Sequence, residues 1–78
     1  MVLLKYFNNM VEYVFKKPYT CRLGTLSQGS TIRFFRGAVY FDGGMVDGGY
    51  GKILYDIVNN PQLKNEYLVE REIIDNKI

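Results

Sequence analysis

Apolar and polar positions change their period near residue 18. Set at helical spacing, residues 2–16 segregate: Lys5, Asn8, Asn9, Glu12 and Lys16 gather in one sector. Leu3, Leu4, Phe7, Met10, Val11, Val14 and Phe15 fill the opposite side, with Tyr6 and Tyr13 at the boundary. Pro18 stops the run, because it restricts the residue before it to extended conformations. This pattern predicts an amphipathic helix over 2–16. A hairpin turning at Asn8-Asn9 is the rival, favoured by the Val, Tyr and Phe content, but it leaves the segregation unexplained.

From Tyr19 the period becomes two. Residues 19–25 read as a strand, followed by a turn at Ser27-Gln28-Gly29-Ser30. Residues 31–41 are too long for one strand, and Arg36-Gly37 splits them into strands 31–35 and 38–41 joined by a two-residue turn. Such a turn pairs Phe35 with Ala38, Phe34 with Val39, Arg33 with Tyr40 and Ile32 with Phe41. Ile32, Phe34, Val39 and Phe41 then share an apolar face, while Arg33, Phe35, Ala38 and Tyr40 share a face of cations and rings.

A glycine-rich loop over 42–51 follows, with Asp-Gly-Gly twice. A second helix is expected over about 50–59, burying Ile53, Leu54, Ile57 and Val58. Asn59-Asn60-Pro61 ends it, Pro61 opens a further turn through Lys64, and residues 67–74 alternate as a last strand. The expectation is one α+β domain over 1–78. It comprises an N-terminal helix, a three-stranded antiparallel meander, a second helix and a C-terminal strand, with both helices on the Ile32 face.

Charge adds an asymmetry to this outline. Residues 1–41 hold six Lys/Arg against Glu12, and residues 42–78 hold four against seven acids, so +5 and −3 make the net +2. The chain has no histidine and one cysteine, Cys21, which excludes an internal disulfide and the usual structural zinc site. The apolar start is broken by Lys5, Asn8, Asn9 and Glu12, which argues against a secretory leader, and no apolar run is long enough to span a bilayer. A cytoplasmic setting is expected, in keeping with an unpaired thiol.

Candidate chemistry is sparse. Gly51-Lys52 resembles the end of a phosphate-binding loop, but Val46 stands where its first glycine belongs and Ile53 where its hydroxyl belongs. Asp42, Asp47 and Asp56 do not match a calcium-loop spacing; helix capping by Asp47 explains that residue more simply. Glu70 and Glu72 lack tuned neighbours, and Cys21 has no histidine to activate it. No catalytic, metal or cofactor residues are assigned.

What remains is the face carrying Arg22, Arg33, Phe35 and Tyr40, with Arg36 at the hairpin tip. Arg, Tyr and Phe are enriched at the centres of protein interfaces. The expected function is therefore a non-catalytic protein-binding accessory module, an adaptor or inhibitor of the kind phages and mobile elements encode. Its partner-binding residues would be Arg22, Arg33, Phe35, Arg36 and Tyr40, helped by an acidic C-terminal patch. The alternatives are a small single-stranded nucleic-acid binder, which the seven acids of the second half disfavour, and a homo-oligomeric structural subunit, such as a homodimer pairing basic with acidic halves. A purely structural reading has one helix on each face of the sheet covering these residues.

Overall fold

The computed structural model describes residues 9–74, and these described residues form seven strands and two helices. The strands are β1 (Asn9–Phe15), β2 (Tyr19–Cys21), β3 (Gly24–Leu26), β4 (Thr31–Phe35), β5 (Ala38–Phe41), β6 (Gly44–Met45) and β7 (Leu68–Ile74). The helices are α1 (Gly48–Val58) and α2 (Pro61–Tyr67). Five strands make one antiparallel sheet in the order β6-β5-β4-β1-β7, and β2 and β3 form a separate two-stranded ribbon.

This overturns the expected architecture of an N-terminal helix and a three-stranded meander. Residues 9–15 are a strand, and the earlier part of the expected helix, residues 2–8, lies outside the described residues. The strand prevails because its alternation satisfies two neighbours at once. Tyr13 pairs with Ile32 of β4 and Glu70 of β7, and Glu12 pairs with Arg33 and Arg71. Val, Tyr and Phe suit a pleated surface, so local preference agrees with the pairing. Residues 19–25 are a hairpin of their own, bent at Arg22-Leu23, with Gly24 at φ +100°. The partner of β4 on that side is β1.

The 31–41 hairpin has the register the two-residue turn demands: Phe35 pairs with Ala38, Phe34 with Val39, Arg33 with Tyr40 and Ile32 with Phe41. Arg36 (φ 51°) and Gly37 (φ 80°) both sit at positive φ, the signature of the turn whose twist matches antiparallel strands. Asp42 (φ 51°) and Gly43 (φ 87°) repeat it, so the glycine-rich loop opens as a second tight hairpin into β6. The Asp42 side chain accepts from Thr31 N at 3.0 Å and ties that turn back to β4.

Asp47 caps α1, its Oδ1 accepting from Tyr50 N at 2.9 Å. Asn60 caps α2 by accepting from Gln62 N and Leu63 N, with Pro61 in the first turn. Both helices cover the same sheet face. The Tyr55 ring meets Phe34 edge-on at 5.7 Å, Tyr50 lies 6.1 Å from Phe41, and Lys64 Nζ stands 5.3 Å over the Tyr13 ring. At Gly51 a Cβ would come within 3.2 Å of Val39 Cγ2, so the glycine lets α1 approach β5 closely. Phe15, Leu26, Ile32, Leu54, Ile57, Val58 and Leu68 form the buried core between these layers. No helix among the described residues is long and apolar enough to cross a membrane.

Candidate protein-docking face

Strand alternation puts a second set of side chains on the opposite side of the sheet, where no described helix packs. The registers align Arg71, Glu12, Arg33, Tyr40 and Met45 in one row across five strands. Val69, Val14 and Thr31 make the adjoining row, and Phe35 and Ala38 lie beyond Arg33 and Tyr40. Phe35 is 44%, Val69 49% and Met45 69% exposed, so large apolar groups on this side face solvent.

At the centre stands Glu12, only 2% exposed. Arg33 Nε donates to its Oε2 at 2.8 Å, while Nε and Nη2 of Arg71 both donate to its Oε1. Burial alone raises a carboxyl pKa. Here the hydrogen bonds and charges of Arg71 and Arg33 outweigh that effect and hold Glu12 below its ordinary 4.5. The arginine side chains stay 38% and 61% exposed. Glu12 thus orients two guanidinium groups while showing almost none of its own charge to solvent.

Of the five residues expected to bind a partner, Arg33, Phe35 and Tyr40 stand together on this face. Arg36 joins them at the hairpin tip, its Cζ 5.2 Å from the centre of the Phe35 ring. Arg22 is elsewhere: it lies in the β2–β3 turn and lines a depression beside Ile53, Ile57 and Leu63, on the helix-bearing side. The acidic patch is elsewhere too, since Glu70 and Glu72 pair across from Tyr13 and Val11, and Glu70 binds Lys64 of α2 at 3.2 Å. Sequence reasoning missed Arg71, Val69, Met45 and the part played by Glu12. The first three became legible only once β7 and β6 were placed at the sheet margins.

The α1 N-terminus, weighed above as an anion cradle, is occupied by the Asp47 carboxylate, and Lys52 lies 3.8 Å from Asp56. Cys21 is a free, partly covered thiol packed beside the core. Among the described residues no three His, Cys, Asp or Glu side chains cluster as metal ligands. No family model, curated protein or solved structure matches this chain.

Proposed function

We propose that the chain is a non-catalytic protein-binding module, an adaptor or inhibitor, that docks through the sheet face opposite α1 and α2. The observation that carries this reading is the exposure of Phe35, Met45 and Val69 around the Arg33–Glu12–Arg71 cluster. Apolar groups beside oriented arginines are the composition of an interface centre. Val69 and Met45 offer methyl and thioether surface, which packs on protein side chains and gives unpaired bases nothing to stack on. A cytoplasmic setting belongs to the same proposal and rests on the single unpaired cysteine.

Photo-crosslinking tests the reading in the cell of origin. A benzoylphenylalanine at position 35 or 69 should give protein adducts, and one at Gln62 on exposed α2 should not. Equal adducts from position 62, or none from 35 and 69, would contradict it.

Two facing copies would bring both basic clusters, Arg33, Arg36 and Arg71 of each, into one interface, so self-stacking through this face is disfavoured. A nucleic-acid strand would meet a cluster of net +1, or +2 with Arg36. That charge displaces only about one or two counterions and supports weak binding.

A further inference from the structure

The cluster's charge and geometry say more about the partner, given that the sheet face opposite α1 and α2 is where it docks. Arg33 commits one N–H to Glu12 and Arg71 two, so most of the donors on each guanidinium have no partner among the described residues. Both groups reach the same carboxylate, one per oxygen, and so converge instead of lying a full two strand spacings apart, roughly 10 Å. One further anion above Glu12 can therefore touch both. The charge count agrees. Within the cluster, two guanidiniums against one buried carboxylate leave a single positive charge. Among the described neighbours in the adjoining row Val14, Thr31 and Val69 bring no charge, and the Asp42 carboxylate beside Thr31 is engaged by Thr31 N and Ser30 Oγ.

We infer that the Arg33–Glu12–Arg71 cluster recognises one carboxylate, an Asp or Glu side chain of a partner protein, presented among apolar side chains that pack on Val69, Tyr40, Phe35 and Met45. Glu12 is a positioning residue here. It holds two long side chains in place before the partner arrives, so less rotamer freedom is lost on binding. A single carboxylate suits the count better than a run of phosphates. The aliphatic rim supplies the desolvation that makes a charge-assisted hydrogen bond strong.

The test is selection of a random 12-residue displayed peptide library on the whole protein, keeping binders that the Phe35→Ala/Tyr40→Ala variant loses. The expected winners carry one Asp or Glu flanked by apolar residues. In the purified peptides, changing that acid to Gln or Asn should weaken binding about tenfold on wild type and hardly at all on Arg71→Gln. Arg71 is well exposed, and circular dichroism verifies the fold of that variant. Winners that depend on Phe35 and Tyr40 but show no acidic preference would overturn the carboxylate assignment and leave the docking face standing. No winner dependent on Phe35 and Tyr40 would overturn both. Tighter binding of a 12-nucleotide oligo-dT, with a salt dependence of several phosphates, would replace the protein partner by a nucleic acid.

Discussion

Glu12 and Arg33 stand directly opposite one another on adjacent strands, 21 residues apart in the chain, with Arg33 Nε 2.8 Å from Glu12 Oε2. From the other side Arg71, 59 residues away, closes on the same carboxylate. Three strands are thus joined by one acidic side chain at the middle of the sheet. Glu12→Gln keeps the shape but removes the charge that both arginines use. Because those arginines can turn to water, the loss should be about 1–2 kcal/mol and not the larger cost of stranding a fully buried ion. Urea denaturation of the variant measures it.

The same pair makes stability depend on acid. The folded-state pKa of Glu12 lies below its ordinary 4.5, so the stabilisation is fully present above 4.5 and drains as pH falls through the lower folded value. Wild type should lose stability below pH 4.5 more steeply than Glu12→Gln, and the two should run parallel above it. Denaturation midpoints from neutral pH down to pH 3 read the difference; parallel curves throughout would refute it.

Arg36 occupies φ 51° at the first centre of a tight turn, a conformation that costs an ordinary side chain about 1 kcal/mol and costs Asn less. Arg36→Asn should therefore raise stability by about 0.5–1 kcal/mol, since Asn-Gly suits this turn. If Arg36 serves the docking face, the same change should weaken partner binding. A gain in midpoint with a loss in affinity is the expected outcome.

How much of this could be read from the sequence depends on distance along the chain. The 31–41 hairpin was legible because a two-residue turn allows one pairing only, and that pairing sorts Ile32 and Phe34 from Arg33 and Phe35. The Asp47 cap acts within three residues and was legible, whereas Asn60 reads in the sequence only as part of a helix stop and proves to cap the next helix as well. Residues 9–15 were not. Glu12 on a helical wheel is an ordinary solvated acid, and what makes it a strand residue is the pair of arginines from β4 and β7. The 19–25 segment misled for a related reason: its break at Arg22-Leu23 carries no strong turn pair, and only Gly24 at φ +100° marks the bend.

The outer edge of β7 has no strand paired to it among the described residues, and its charges oppose self-association. An antiparallel two-fold continuation centred on Arg71 sets Arg71 against its copy and Glu70 against Glu72. Centring on Glu70 or Glu72 sets that carboxylate against itself. Like charges directly opposite disfavour pairing. Glu70→Thr/Glu72→Thr should therefore shift the protein toward dimers as concentration rises, while wild type stays at constant mass. Light scattering over a concentration series checks both.

The central claim is that partners meet the side of the sheet opposite α1 and α2. Backbone and side-chain NMR shifts, followed as a crosslink-identified partner or a selected peptide is titrated in, test it most directly. The account predicts that the largest changes fall on Arg33, Phe35, Tyr40, Met45, Val69 and Arg71, with Tyr55, Gln62 and Glu70 little moved. Changes concentrated on α1 and α2, with the Arg33–Arg71 row silent, would contradict it.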